Sequence, residues 1–528
     1  MPRWFRPQAG SRVGIDRRRF LYATGGFAGL ALINPFKDAI EVAAQTFPNN
    51  PFTLGVASGD PLGDRVVLWT RLAPSPLAAD GAGGMDPVRV PVEWRVATDD
   101  AMQNVVRSGT AYAEPEFAHS VHIDVDGLQP AQWYWYQFQA GSEYSPIGRT
   151  RTGVPRLTPM SRLKFGVVSC QHYEMGFFTA HGHMAAEDLD LVLHLGDYIY
   201  EDGRSPTLPR QHNVGEPMTL GAYRIRHALY KTDPHLQAAH AAFPWMVVFD
   251  DHEVENNWAS RFDENGNPPD AFLPRRAQAF QAYYEHMPLR AAQLPKGPDI
   301  QLYRRIQFGD LALLNMLDTR QFRDDQACGD GTDIGCAEAL DPNRTILGAA
   351  QERWLKTNLA VSPTTWNVLG QQVFFAQRDF EAGALKRLSM DSWDGYAPTR
   401  DRLLNTVVGA NVRNLVVLTG DVHANYACEI KANFDDPTSA TIGSEFVATS
   451  ITSGGNGVDV PTNAGLLYAE NPHIKFVNTQ RGYVVCDLTH ERYQATYRVV
   501  PFVTTQGAPV TTRASFVVEN GVPGVNPA

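Results

Sequence analysis

The sequence predicts a layered α/β domain preceded by a small all-β domain. Three observations carry that reading. Residues 52–152 hold short β-rich runs separated by Gly, Pro and Asp clusters. Over 160–500, apolar strand-like runs alternate with longer stretches of helical periodicity. The composition, 43% hydrophobic and 20% charged, is that of a globular chain, and 528 residues suffice for one large domain plus a smaller one.

Ahead of both domains, Asp16-Arg17-Arg18-Arg19-Phe20-Leu21 sets paired arginines before an apolar Gly/Ala-rich stretch over 20–33. Small residues around Val42-Ala43-Ala44 offer a cleavage site. Basic, then apolar, then small is the layout of a secretory signal. Arg-Arg-x-Phe-Leu resembles the bacterial twin-arginine type. A basic tail leading into an ordinary helix is the alternative. On the first reading, residues 1–44 are a signal peptide, the twin-arginine translocase is a transient partner, and the mature chain is periplasmic or extracellular. Past residue 40 no apolar run reaches transmembrane length, so no stable membrane anchor is expected. The net charge of −11 leaves no broad basic surface and argues against nucleic-acid binding.

In the all-β segment the strand candidates are 66–70, 90–96, 119–125 and 133–138. Gly127-Leu128-Gln129-Pro130 followed by Trp133-Tyr134-Trp135-Tyr136 resembles the Leu-Pro-then-Tyr corner of fibronectin-type sandwiches, where a tyrosine hydroxyl pins a turn. A fibronectin/Ig-like sandwich of structural or lid-like role is expected. In the α/β part the strands are 163–168, 189–195, 245–249, 311–317, 366–369 and 415–418. Amphipathic helices are expected over 275–286 and 349–359. The pattern returns to β at 476–500, as strands 483–488 and 493–499 around a turn at His490-Glu491. Residues 501–528 read as a C-terminal tail whose Gly/Pro/Val-rich last dozen residues are loose.

The five cysteines leave one over. Cys328 and Cys336 flank a Gly/Asp-rich loop that a disulfide can close. Cys428 and Cys486 each follow a strand-like run and form a second candidate pair, and Cys170 would be the leftover. Cα separation decides such pairings.

Four strands end in polar residues. Val167-Val168 runs into Ser169-Cys170-Gln171-His172, and 191–195 into Gly196-Asp197-Tyr198-Ile199-Tyr200-Glu201. The run 246–249 leads to Asp250-Asp251-His252-Glu253-Val254-Glu255-Asn256-Asn257, and 416–418 to Thr419-Gly420-Asp421-Val422-His423. Carboxyl ends of strands line the ligand crevice of open α/β sheets. Each motif alone has a dull reading: a Gly-Asp turn or helix cap, a satisfied loop histidine, a small buried cysteine. Four together favour a site, and hard oxygens with imidazole favour metals.

Gly196-Asp197, Asp251-His252-Glu253 and Gly420-Asp421-Val422-His423 resemble the calcineurin-like metallophosphoesterase signature, whose usual forms are Asp-x-His, Gly-Asp-x-x, Gly-Asn-His-Glu and Gly-His-x-His. The departures are similar to PhoD-like alkaline phosphatases: Ser-Cys-Gln at 169–171, Gly-Asp-Tyr-Ile-Tyr-Glu at 196–201, Asp-Asp-His-Glu-Val-Glu-Asn-Asn-Trp at 250–258 and Leu-Asp-Thr-Arg-Gln-Phe-Arg at 317–323. Gly55-Val56-Ala57-Ser58-Gly59-Asp60-Pro61 with Leu68-Trp69-Thr70-Arg71 resembles that family's β domain. The resemblance runs from about residue 52 to the 490s.

It implies a layered metallophosphoesterase β-sandwich with flanking helices, and an exported, metal-dependent phosphoric ester hydrolase acting on phosphomonoesters, phosphodiesters or both. It also implies Fe³⁺ and Ca²⁺. Carried over by motif, Cys170, Asp197, Tyr200 and His423 hold iron, while Asp197, Asn256 and Asp421 hold calcium with Asp197 bridging. Asp251 fills the slot of the usual asparagine, as a ligand or a group behind one. His172 sits at the usual Asp-x-His histidine, whose role Tyr200 takes over. The donor chemistry agrees: thiolate and phenolate stabilise trivalent iron, and Asp421 in place of a histidine favours calcium. A ligated cysteine is deprotonated, which removes Cys170 from disulfide pairing. Tyr198 is expected to face away, into packing.

The expected chemistry is in-line attack on phosphorus by a metal-bound hydroxide, with the metals sharing the developing charge. His252 is the candidate for protonating the leaving oxygen, the alternative being orientation of a ligand carboxylate. Arg320 and Arg323 either contact phosphate or form structural ion pairs, Asp318 being adjacent. One competing reading is a phosphodiesterase or phospholipase D-like enzyme on lipid or wall-polymer diesters, set apart by the room that segments 204–240 and 263–293 leave. The other is a non-enzymatic surface binding protein, against which the intact ligand set speaks.

Overall fold

Two β-sheets packed face to face carry residues 46–528, which the computed structural model describes except for Arg204 and Pro437. The signal-peptide reading of 1–44 falls outside the described residues. The first sheet has ten strands, in the order Val522–Pro527, Thr511–Glu519, Arg492–Val500, Arg481–Leu488, Leu163–Val168, Leu191–His194, Pro244–Val247, Val56–Leu62, Arg65–Arg71, Ser120–Val125. The second has seven: Arg304–Phe308, Ala312–Met316, Trp366–Gln371, Leu415–Thr419, Thr441–Val447, Asn425–Lys431, Ile474–Asn478.

The central strands of each sheet are parallel, four in the first and four in the second. They are covered on both sides, which is why they read as unbroken apolar runs rather than alternating ones. Between the sheets, Tyr493 packs on Trp366 (5.6 Å) and Phe446 (5.8 Å), and Phe476 on Tyr497 (5.1 Å) and Phe516 (5.5 Å). The predicted helices are present as Pro269–His286 and Gly348–Ala360. The first starts earlier than its apolar pattern suggests. Pro269 stands at its first position, and Pro274, inside the helix, removes one i→i−4 hydrogen bond.

The all-β segment forms the expected sandwich but does not stand apart. Its five-stranded sheet holds Val90–Ala97, Val105–Ala113, Trp133–Ala140, Glu143–Tyr144 and Gly148–Arg151. Its other face is the edge of the ten-stranded sheet, joined where Ser58 and Gly59 pair with Pro244 and Trp245. Leu68, Val121 and Ile123 from that edge share one core with Val92, Val96 and Phe138. The tyrosine corner is present: the Gln129 N–H donates to the Tyr134 hydroxyl at 2.8 Å.

Two expectations are corrected. The segment 501–528 is not a loose tail, because Thr511–Glu519 and Val522–Pro527 extend the large sheet and bury Phe516, Val518 and Val525. Its composition misleads because the final strand is the sheet's edge, where Pro523 and Pro527 forfeit no ladder bond that the sheet needs. Cys428 and Cys486 are unpaired and buried, one in each sheet. Cys328 and Cys336 do form a disulfide, with a Cα separation of 6.2 Å. Among the described residues no helix is long and apolar enough to cross a membrane.

Candidate metal centre

The parallel strands of both sheets end at the same place. Ser169 pairs with Ser450 across the sheets, and two glycines allow close packing of the loops that follow the strands. A Cβ on Gly196, at φ +113°, would meet Asp250 Cβ closer than any real contact allows. A Cβ on Gly420 would sit 2.9 Å from the Ser169 side chain. The glycine before Asp197 and the one before Asp421 are therefore packing requirements, which accounts for the repeated Gly-Asp.

The next residues leave the strands in left-handed backbone: Cys170 at φ 58°, Asp197 at 57°, Asp421 at 61° and His423 at 53°. Non-glycine residues adopt that conformation only when their surroundings enforce it, and such positions gather at functional sites. Here the turn aims each side chain back across the strand ends. Glu253 fastens two of the loops, accepting the N–H groups of Asp197 (3.2 Å), Tyr198 (2.5 Å) and Asp250 (2.8 Å).

Seven of the eight residues picked out from the sequence come together. Ligand atoms of Cys170, Asp197 and His423 lie within 4.8 Å of one another, as do those of Asp197, Asp251 and His252, and those of Asp250, Asp251 and Asp421. Asp197 belongs to two groups. The Tyr200 hydroxyl donates to Asp197 Oδ2 (2.8 Å), lies 3.0 Å from His423 Nε2 and accepts from Ser453 Oγ (2.8 Å). Arg226 holds this turn from below, donating to the carbonyls of Tyr200 and Glu201.

Asn256 is the eighth. Its contacts run to Glu201, through its N–H (2.7 Å), and to Glu264, through Nδ2 (2.6 Å), rather than to Asp197, Asp251 or Asp421. His172 stacks on Tyr200 at 4.5 Å, outside these groups. Tyr198 faces the packing as expected, 2.8 Å from His240 Nε2.

The arginines resolve to structural ion pairs, and Asp318 is not their partner. Arg320 is fully buried and reaches Asp250 (2.5 Å), Asp391 (2.9 Å), Asp421 (3.3 Å) and Asp251 (3.4 Å). Arg323 pairs with Asp391 at 2.8 Å and donates to the carbonyls of Asn257 and Trp258. Sequence reasoning passed over Asp250 and Glu201, which stood inside its motifs. It had no signal at all for Asp391 and Ser453, which lie in irregular segments.

The electrostatics call for a cation. Burial pushes Asp197 and Asp250 well above the usual carboxylate range, and pushes Asp421 up to about 7 against the pull of Arg320. Burial also raises the Cys170 thiol and the Tyr200 phenol. Asp197 Oδ1 and Asp250 Oδ2 are buried without a hydrogen-bond donor. Buried carboxylate oxygens are ordinarily satisfied. A bound cation supplies the missing counter-charge and lowers these values, so the residues fit a metal.

His252 is set differently. Burial would lower its imidazole, but the Glu201, Asp251 and Asp197 carboxylates outweigh burial and hold it well above the usual histidine range. Its Nδ1 lies 2.7 Å from Glu201 Oε2, and its ring packs against Tyr200 at 4.1 Å, tilted by 31°. The carboxylates around it favour the protonated form of the imidazole.

Stacked sheets whose strands end on a thiol, a phenol, imidazoles and carboxylates define a metal-dependent hydrolase centre. Comparison with known proteins agrees. The family model of the PhoD-like phosphatase matches residues 165–497, and that of the PhoD-like phosphatase N-terminal domain matches 38–154. Alkaline phosphatase D of Bacillus subtilis (strain 168) is 52% identical over 520 residues, spanning 97% of this chain and 89% of that protein. A solved structure described as the structure of PhoD superposes with a TM-score of 0.90 at 52% identity, covering 92% of this chain and 93% of that one. The chain belongs to the PhoD-like phosphatase family and is a phosphoric ester hydrolase.

Proposed function

We propose that the protein is an exported phosphatase of the alkaline phosphatase D type, using a ferric ion and calcium. The observation that carries the reading is the gathering of Cys170, Asp197 and His423 ligand atoms within 4.8 Å of one another, with the Tyr200 hydroxyl against Asp197 and His423. A thiolate and a phenolate in one site are donors suited to trivalent iron. Asp197, Asp251 and Asp421 are the oxygen-rich set for calcium, to which Asn256 would add its amide oxygen on turning from Glu264. Bound there, the ions supply Lewis acidity, activating water and neutralising charge on phosphoryl oxygens.

The remaining work falls to the chain. Asp197 faces both sets of donors and holds them in register. His252, oriented by Glu201, gives its proton to the leaving oxygen. Arg320 fixes the carboxylates through its ion pairs. For export, the support is the paired Arg17 and Arg18 before an apolar stretch.

Rates on an aryl phosphomonoester and the matching bis-aryl diester, with metal analysis of the same preparation, test the reading. Hydrolysis of either ester by protein containing iron and calcium is expected. Inactivity on both, or activity in protein loaded with zinc alone, overturns it. Retention in the cytoplasm of a variant with Arg17 and Arg18 replaced by lysine tests the export route.

A further inference from the structure

Arg378 is only 9% exposed, and its side chain has no hydrogen-bond or ion-pair partner among the described residues. The other buried arginines there give their guanidinium to a carboxylate or a carbonyl, as Arg320 and Arg481 do. Arg378 is held instead by aromatic rings. Its guanidinium carbon lies 4.3 Å from the Phe374 centroid, 4.8 Å from Phe380 and 5.5 Å from Tyr426. Its own N–H donates to Asp394 at 3.0 Å, which fixes the backbone beneath it.

The cage adjoins the metal centre. Phe374, Phe380 and Tyr426 share one apolar cluster with Val422, the residue between Asp421 and His423. All three of Asp421, Val422 and His423 are half-buried, so this is where the crevice meets solvent. The positive charge of Arg378 acts on the Asp421 carboxyl. Ring contacts offset only part of the cost of burying the Arg378 Nε without an acceptor. A planar cation held rigid between rings is, however, preorganised to take one.

We propose that Arg378 is an anion subsite beside the metal crevice, binding a second negatively charged group of the substrate distinct from the phosphate being cleaved. The enzyme is then selective for phosphate esters whose alcohol portion carries a further phosphate or carboxylate. This inference rests on the phosphoesterase reading above.

The test compares butane-1,4-diol bisphosphate with butane-1,4-diol monophosphate, at fixed free calcium, in the wild-type protein, Arg378→Gln and Arg378→Lys. The wild-type KM is expected to be lower for the bisphosphate. Arg378→Gln raises that KM by about tenfold to a hundredfold, the worth of one charge-assisted contact, and leaves kcat and the monophosphate KM nearly unchanged. Arg378→Lys, which keeps the charge and loses the planar fork, falls between. Equal KM increases for both substrates, or none for either, overturn the proposal. So does a wild-type KM no lower for the bisphosphate, a result that requires no variant to fold. A wild-type protein that hydrolyses neither ester contradicts the phosphoesterase reading instead.

Discussion

Replacing Arg320 by methionine removes the one guanidinium that reaches Asp250, Asp251, Asp391 and Asp421. The shape is nearly kept, so the loss is electrostatic. The contacts to Asp250 (2.5 Å) and Asp391 (2.9 Å) are charge-assisted hydrogen bonds, while those to Asp421 and Asp251 are longer and mainly coulombic. Breaking a buried pair by deleting one partner costs about 3–5 kcal/mol, because an uncompensated charge stays behind. One guanidinium serves all four acids, so the terms do not add. If the unit spanning 44–528 unfolds together, roughly 480 residues at about 2.1 cal/mol/K each give an unfolding entropy of about 1 kcal/mol/K. The midpoint should then fall by about 3–5 °C in thermal scans at pH 8 with metals held constant. The deficit should shrink at lower pH, since protonation discharges Asp250 and Asp421, which burial already raises. Arg320→Lys should recover part of the loss. A midpoint unchanged in Arg320→Met would refute the reasoning that these acids depend on one arginine.

His252→Gln should lower kcat by about 10²–10⁴-fold on alkyl esters, whose leaving oxygens need a proton, and by much less on nitrophenyl esters; equal losses on both would remove it as the acid. Glu201→Gln takes away a carboxylate that raises the His252 pKa against burial. An acid works only while protonated, so the alkaline limb of the kcat/KM profile should move to lower pH, and an unmoved limb counts against the pair. Opening the Cys328–Cys336 loop by Cys336→Ser frees Asp330, which accepts from Asn257 Nδ2 (2.7 Å), while the Asn257 N–H donates to Asp251 Oδ2 (2.7 Å). Closing so short a loop is worth about 2–3 kcal/mol; the variant should lose calcium to a chelator sooner at unchanged iron content, and identical chelator titrations would break that chain of contacts.

The strand ends were legible because two unrelated demands wrote the same letters. Gly196 lets its loop pack on Asp250 of the neighbouring strand, Gly420 lets the second sheet close on Ser169 of the first, and the acids after them are needed at the centre. The central strands were legible because burial on both faces leaves apolar runs. What escaped depends on contacts distant in sequence. Asp391 meets Arg320 across 71 residues from a segment with no periodicity, and Ser453 meets Tyr200 across 253. The sharing of one sheet between the β sandwich and the α/β layers rests on the pairing of Ser58 and Gly59 with Pro244 and Trp245, which neither strand's pattern encodes. The last two strands escaped because an edge tolerates proline. Cys428 and Cys486 each follow a strand-like run, yet the strands belong to different sheets.

Metal analysis with absorption spectra of the purified mature protein and Cys170→Ala, run side by side, tests the centre most directly. The wild-type protein should contain iron and calcium and show a visible charge-transfer band from its anionic thiolate and phenolate ligands. The variant should lose both the iron and the band. Full iron content with an unaltered band in Cys170→Ala, or a wild-type protein that holds only zinc, would contradict the account.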